Sequence, residues 1–448
     1  MKRVFHTTCG GNGWHLSEYL VYAKIPDSSG YAVLDLYQGS YTILSSAELY
    51  LLSVFETLDP DHPALEKFRK FGLIVNFNQA AALDAAGRSN CGLSSTVNLT
   101  ICPTMGCNFD CPYCFEDHRS GRMAPQVQEQ VVQLAEKLLH RFCAKRLSIT
   151  WFGGEPLLTP DIIESLSLRL IELANSKGAE YSAMIVTNGY LLNEENTELL
   201  KRCKVGQAQI TLDGLEEAHD RTRHLAGGGK TFTHICDNLR RKLPFQILIR
   251  HNVHRDNLVE VEPLRNFTEQ LAQESGNNLM YYPSLISGNE HLERRNPSVS
   301  PLQQETAIRE LELELEAGRY KAKGGSYCGA NILSSVAVDD VGRLYKCWTD
   351  VDKPERSYGT IISWDVDKPI ASAQNPDILS AYLNNSCPTP DPECRDCLLL
   401  PICCGGCPRK RFDGNRYCLS FKDDPEAFAL AVYRSKKKQV VKENRNDL

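Results

Sequence analysis

Cys107, Cys111 and Cys114 lie in the stretch CPTMGCNFDCPYCFED, Cys102–Asp117, at the spacing C-x3-C-x2-C. Thiolates are soft ligands, so three of them this close point to iron or zinc. Zinc usually combines a C-x2-C pair with a second pair or with histidines, and no fourth ligand stands nearby. An iron–sulfur cluster with one iron free of protein ligands suits three thiols better, and the free iron can take a substrate or cofactor. Cys102 falls outside the spacing and is expected to pack at a strand end. A second set lies near the C-terminus. Cys328, Gly342 and Cys347 read C-x13-G-x4-C. Cys394, Cys397, Cys403 and Cys407 read C-x2-C-x5-C-x3-C, with Cys418 after ten further residues. A zinc ribbon on CRDC is the alternative there.

The compartment decides how to read 18 cysteines in 448 residues. Disulfide scaffolds are short and secreted. This chain is long, and MKRVFHTTCGGNGWHLSEYL has neither a long apolar core nor a small-residue cleavage site. A cytoplasmic protein is expected, with clustered thiols for metal or redox work. No apolar run reaches the ~18–20 residues of a membrane helix. A net charge of −6 offers no basic field for nucleic acid or anionic lipid. Cys143, Cys203 and Cys236 lie in or beside apolar segments and read as small hydrophobes.

The elements that must hold these cysteines form three patterns. In residues 1–90, YLVYAKI and YAVLDLYQGSYTIL read as strands around the turn PDSSG. SSAELYLLSVFETL reads as a helix capped by Ser46, PALEKFRKFG as a second helix ending at Gly72, and LIVNF as a closing strand. AALDAAGRSNCG reads as the linker after this small α+β module. In residues 91–290 the strands VNLTIC, LSITWF, SAMIVT, QAQITL, QILIRH and LMYYP alternate with amphipathic helices. That alternation predicts an α/β fold, a partial (β/α)6 TIM-like barrel. The three-cysteine loop follows its first strand, where such barrels place their chemistry. Residues 291–326 read as a helical bridge and 327–448 as a cysteine-rich domain with a frayed tail, YRSKKKQVVKENRNDL.

With Tyr113 before its third cysteine and Phe115 after it, the loop resembles the signature of radical S-adenosylmethionine (SAM) enzymes. GGEP (Gly153, Gly154, Glu155, Pro156) follows the second strand as that family's methionine-binding motif does. TNG (Thr187–Gly189, with Asn188), TLDG (Thr211–Gly214, with Asp213, then HDRTR) and IRHN (Ile249–Asn252, with Arg250) follow the third to fifth. The resemblance implies that the open iron binds the amino and carboxylate groups of SAM. Glycines at 153 and 154 would let the backbone approach that amino group. Tyr113 would pack on the adenine and Arg250 would pair the carboxylate. A reduced cluster would then cleave SAM, and the 5′-deoxyadenosyl radical would take a hydrogen from substrate carbon.

The second cysteine set resembles the SPASM extension of that family. The resemblance places Cys394, Cys397, Cys403 and Cys418 on an outer auxiliary cluster and Cys328, Cys347 and Cys407 on an inner one. With the SAM-binding centre this makes three [4Fe–4S] clusters. The inner one either keeps an open iron or borrows Cys387 or Cys404. SPASM enzymes act mostly on peptides, so a maturase of a ribosomally made peptide is expected. Its cross-link would be a thioether or a carbon–carbon bond. A precursor peptide and an electron donor such as flavodoxin or ferredoxin are the implied partners. The N-terminal module loosely resembles a leader-recognition module. A sulfatase maturase is the rival: it would carry an aspartate where this chain has Trp348, with Asp350 two residues on. Asp350, Asp352, Glu116 and Asp117 are acid/base candidates by proximity alone. A non-catalytic iron–sulfur electron carrier is the remaining alternative.

Overall fold

The computed structural model describes residues 13–92, 94–253, 255–285, 306–320, 328–385, 387–416 and 418–446. Two compact units emerge: Met1–Gly92 with Gln304–Asn331 and Asn384–Leu448, and Leu93–Gln303 with Ile332–Leu383.

The first unit opens with β1 (His15–Leu16), β2 (Leu20–Lys24), β3 (Gly30–Asp35) and β4 (Ser40–Ser45). β2, β3 and β4 form an antiparallel sheet in that order. YAVLDLYQGSYTIL is therefore two strands and not one. The chain reverses at Gly39, whose φ of +67° suits a residue without a Cβ. α1 (Ser46–Ser53) is capped one residue earlier than expected. Ser45 accepts from the Glu48 amide while the Glu48 carboxylate accepts from the Ser45 amide, a reciprocal capping box. α2 (Pro63–Lys70) stops just before Gly72, at φ +68°. β5 (Ile74–Val75) pairs with β1. The expected linker is instead a helix, α3 (Gln79–Gly92), because its alanines favour helix more than its glycines oppose it. Leu20, Val33 and Leu44 of the sheet pack on Leu52, Phe55, Leu65 and Phe68.

The second unit alternates strand and helix: β6 (Thr96–Ile101), α4 (Pro125–Arg141), β7 (Arg146–Trp151), α5 (Pro160–Ser176), β8 (Glu180–Thr187), α6 (Glu194–Arg202), β9 (Val205–Thr211), α7 (Glu216–Thr222), α8 (Phe232–Arg240), β10 (Gln246–Val253), α9 (Val261–Ser275) and β11 (Leu279–Leu285). The six strands are parallel and adjacent in chain order, as predicted from their apolar runs. One face of the sheet is apolar. Val97, Leu99 and Ile101 of β6 and Leu147, Ile149 and Trp151 of β7 are fully buried. Against that face lie α4, through Leu134 and Leu138, and α5, through Ile163, Leu166 and Leu170 at helical spacing. Each such side chain contributes ~1.5–3 kcal/mol by leaving water.

The charged stretch before the second cysteine set is α10 (Thr306–Arg319), in the first unit; the rest of that bridge lies outside the described residues. β12 (Ser335–Val338) then adds to β6 in parallel, and β13 (Arg343–Tyr345) and β14 (Gly359–Thr360) continue antiparallel, giving nine strands. α11 (Pro376–Asn384), α12 (Pro392–Arg395), α13 (Leu400–Cys403), α14 (Pro408–Phe412) and α15 (Pro425–Asn446) complete the chain. The expected frayed tail is helical through Asn446. Phe428 and Val432 of α15 are buried with Leu313 and Ala317 of α10, with Val21 and Leu34 of the small sheet and with Tyr19 and Leu36 beside it, which anchors the helix. No helix among the described residues is long and apolar enough to cross a membrane.

Candidate functional site

The cysteine loop leaves β6 and is clamped by the segment after β7. Phe152 donates its amide to Ile101, Gly154 to Thr104 (3.3 Å) and Glu155 to Gly106 (2.9 Å). The strand pairing thus runs on past both strand ends. A Cβ at Gly154 would lie 2.5 Å from the Met105 oxygen, and at Gly153, with φ +110°, it would run into the Thr104 carbonyl. The glycines are therefore already required by the loop. Glu155 is fully buried and accepts from the Thr187 hydroxyl (2.8 Å) and the Asn188 amide (2.7 Å), tying the GGEP turn to the end of β8. Pro156 starts a short 3-10 turn.

Cys107, Cys111 and Cys114 face one cavity of about 330 Å³ at the C-terminal ends of the strands. Tyr113, Phe115, Glu116, Gly153, Gly154, Thr187, Asn188, Arg250 and Asn252 line it too, so most of the predicted SAM-contact residues converge. Burial pushes the Cys107 thiol up to about 12, and the Glu155 carboxylate adds to this. Cys111 and Cys114 are likewise raised by burial. Thiols so placed give up their protons to a metal's charge and not to water. The Phe109 amide points at the Cys107 sulfur (3.4 Å), a donor that suits a cluster ligand. The loop therefore fits an iron–sulfur cluster. Cys114, Glu116 and His118 could hold a mononuclear ion, but that set uses one thiol of the three.

Tyr113 does not lie free for packing. Its hydroxyl donates to the Asp213 carboxylate and accepts from Arg223 (2.7 Å) and Asn252 (3.3 Å). Asp213 also accepts from Thr222 (3.0 Å) and stays outside the cavity lining. Arg250 is held by Asn252 (2.8 Å) and Ser284 (2.9 Å). Phe115 stacks on Phe152, and Phe152 on Trp348, with ring centroids 6.4 and 5.5 Å apart. Glu116 is buried in the wall, and desolvation, then the Asp352 and Glu155 charges, raise its carboxyl to about 8. Asp117 is exposed.

Asp350 and Asp352 are not in the cavity lining. Asp350 accepts from the Tyr382 hydroxyl, and Asp352 accepts from Arg119, which also reaches Asp340 (2.9 Å). Trp348 and Thr349 take the wall instead. Sequence reading did not single out Arg223, Phe152, Gln209 or Trp348 as site residues. Arg223, inside HDRTR, is buried in the wall with its Nε unpartnered.

In the first unit, Cys394, Cys397, Cys403 and Cys418 line a second, small cavity together with Arg411. Burial raises the Cys403 thiol to about 12, with Cys397 and Cys418 close enough to add to it. The four thiols therefore share one cavity lining. Cys407 stands at the N-cap of α14, which packs beside the turn Gly329–Asn331 that follows Cys328. Cys347 belongs to the second unit. Cys387 sits by Asp84 and Arg88, and Cys404 by the Pro401 carbonyl; neither lines the four-thiol cavity. Cys102, Cys203 and Cys236 are buried as expected. Cys143 is exposed, contrary to its reading as a core residue. It occupies a left-handed turn (φ +46°) just past α4, which turns it away from the helix face.

Residues 101–267 match the family model described as the radical SAM superfamily. The cysteine-type anaerobic sulfatase-maturating enzyme of Clostridium novyi is 23% identical over 356 residues, 70% of this chain and 90% of that protein. The sporulation killing factor maturation protein SkfB of Bacillus subtilis is 26% identical over 167 residues, 37% of this chain and 38% of that protein. Other curated relatives are also matched over about two fifths of their length. The solved structure of native anSMEcpe with bound AdoMet and Cp18Cys peptide superposes with a TM-score of 0.53 at 21% identity. The match covers 76% of this chain and 98% of that one, which shows a shared fold. The cysteine loop, the strand-end motifs behind it and the family model agree: residues 101–267 form a radical SAM domain, a family that works with a [4Fe–4S] cluster and SAM.

Proposed function

We propose that the protein is a radical SAM peptide maturase. It would act on a ribosomally made precursor and join a side chain to a carbon by a thioether or carbon–carbon bond. The observation that carries this reading is the single cavity of about 330 Å³ shared by three thiols and residues from the ends of five parallel strands. A cluster held by Cys107, Cys111 and Cys114, with SAM beside it, would supply one-electron cleavage of a sulfonium and so hydrogen-atom removal. The chain's own residues do the rest. Arg223 and Arg250 present guanidinium groups to a carboxylate. Tyr113, pinned at its hydroxyl, keeps its ring fixed in the wall. The Phe115–Phe152–Trp348 stack excludes water from the same space. Cys394, Cys397, Cys403 and Cys418 would hold an outer cluster, and Cys328, Cys347 and Cys407 an inner one.

Three features support a peptide substrate. Trp348 offers an apolar wall where a sulfatase maturase would carry a carboxylate. SkfB, matched over 38% of its length, bears the name of a peptide maturation protein. The small sheet ends in the edge strand β4, with Ile43 exposed, and an edge strand can pair with an extended leader. A sulfatase maturase is the second reading, favoured by the 90% coverage of the Clostridium novyi enzyme. The test is anaerobic reconstitution with SAM and a reductant such as flavodoxin, ferredoxin or dithionite. About twelve irons per chain and 5′-deoxyadenosine are expected. A precursor peptide encoded beside the gene should then lose a pair of hydrogen atoms for each cross-link. Zinc in place of iron, or intact clusters without SAM cleavage, would sink the proposal. Formylglycine on a sulfatase peptide, with precursors untouched, would select the second reading.

A further inference from the structure

The four thiols around the small cavity of the first unit are not equivalent. Cys394 receives a hydrogen bond from Arg411 Nη1 at 3.3 Å. The same nitrogen donates to the Gly405 carbonyl (3.2 Å), and Nη2 reaches Asp391 (3.4 Å). Arg411 is thus fixed on three sides, and its side chain is only 13% exposed. Asp391 is itself held by Arg416 through two hydrogen bonds of 2.7 and 3.0 Å, and Arg416 also pairs with Glu393. Lys422 also approaches Glu393 (4.0 Å), so three cations face two anions, and distance decides which one the sulfur feels. The guanidinium is closer to it than the Asp391 oxygen, at 3.7 Å. Cys403 receives the Gly405 amide, so a backbone donor and a charged donor meet two neighbouring sulfurs.

We propose that Arg411 sets the reduction potential of the outer auxiliary cluster by donating a charged hydrogen bond to the Cys394 sulfur. The inference rests on the reading above that Cys394, Cys397, Cys403 and Cys418 hold one cluster. Reduction adds a negative charge to the cluster. A fixed cation near one ligand sulfur, largely screened from water, stabilises the reduced state more than the oxidised one. Arginine keeps its charge at every working pH. Asp391, near the same sulfur, acts in the opposite sense, and the Gly405 carbonyl holds the guanidinium in place without it. Arg411 is therefore a positioning residue that acts through Cys394.

The experiment is a redox titration followed by electron paramagnetic resonance on the reconstituted full-length enzyme. The outer signal is the one lost in Cys418→Ala. Arg411→Gln should lower its midpoint by the equivalent of a tenfold change in the reduction equilibrium, ~59 mV for one electron, with iron content unchanged. Arg411→Lys should lower it less. Asp391→Asn keeps the α12 cap and should raise it. An unmoved midpoint in Arg411→Gln, or a fall in Asp391→Asn as well, would mean that Arg411 only braces the loop. If Arg411→Gln sheds iron, Arg411→Lys and Asp391→Asn must still shift in opposite directions, or the proposal fails. If Cys418→Ala removes neither signal nor iron, there is no such cluster. The reading beneath the proposal then falls with it, recognised by the iron count and not by an unmoved midpoint.

Discussion

Gly154→Ala separates two reasons for the paired glycines. The resemblance assigns them to the approach of a cofactor, whereas the structure sets them against the cysteine loop. A Cβ at 154 would stand 2.5 Å from the Met105 carbonyl oxygen and 2.6 Å from the Gly106 carbonyl carbon, with the Gly106 oxygen closer still. Ordinary contact begins at 3.4 Å, so the loop backbone must retreat by at least 3.4 − 2.5 = 0.9 Å. None of these atoms ends a flexible side chain, and the Glu155–Gly106 hydrogen bond of 2.9 Å opposes the retreat. Cys107 is the next residue in the loop. A displacement of ~1 Å at a reacting centre costs ~100-fold in rate, equivalent to ~2.7 kcal/mol of barrier. The assay is 5′-deoxyadenosine formation at saturating SAM, with iron content and the paramagnetic signal of the reduced cluster recorded before SAM is added. Iron should be retained, the SAM-free signal altered and turnover reduced ~100-fold. An unchanged SAM-free signal with only a raised KM for SAM would refute the loop argument and restore the cofactor one.

Cys107→Ala should abolish SAM cleavage, whereas Cys347→Ala should spare part of it and lose peptide modification; full modification in Cys347→Ala would remove the inner cluster from the mechanism. Tyr113→Phe leaves Asp213, Arg223 and Asn252 each short of a partner in a buried wall, so unfolding in denaturant should show a loss of ~1–3 kcal/mol. An unchanged midpoint and slope would show that those groups find partners elsewhere. Asp35 is buried beside Ser17 in the small module, and desolvation raises its carboxyl to about 7 against the usual 3.8. The folded state then binds this proton more tightly than the unfolded one. Stability should therefore fall as pH rises from about 4 to about 7 and level off above, by at most ~4 kcal/mol. Asp35→Asn should flatten that slope in urea titrations across this range. A slope identical to that of the unaltered protein would place its origin in other groups.

What the sequence made legible was local. Ligand spacing is a property of a few neighbouring residues, so the cysteine sets were visible before any fold was known. The six strands were visible because each is a short apolar run closed by turn residues. What stayed hidden depends on distant pairing. The Tyr113 hydroxyl meets partners 100, 110 and 139 residues away, and no spacing rule connects Tyr113 to Arg223. Asp350 and Asp352 are near Cys347 in sequence, and nearness in sequence does not fix where a carboxylate points. The 3-10 turn Trp348–Asp350 buries Asp350 against Tyr382 and leaves Trp348 and Thr349 on the cavity.

One unused signal does lie in the sequence. Parallel strands covered on both faces run continuously apolar. In β9, Gln207, Gln209 and Thr211 alternate with Ala208 and Ile210. In β10, Arg250 and Asn252 alternate with buried Ile249, His251 and Val253. A helix packs on the apolar side, so the polar side must face something wet or something bound. Gln209, Thr211, Arg250 and Asn252 are the residues of these strands that line the cavity. Polar alternation within a parallel sheet therefore marks its open concave face. Applied with the strand order, it would have placed Gln209 and Thr211 at the site without any resemblance to a known family.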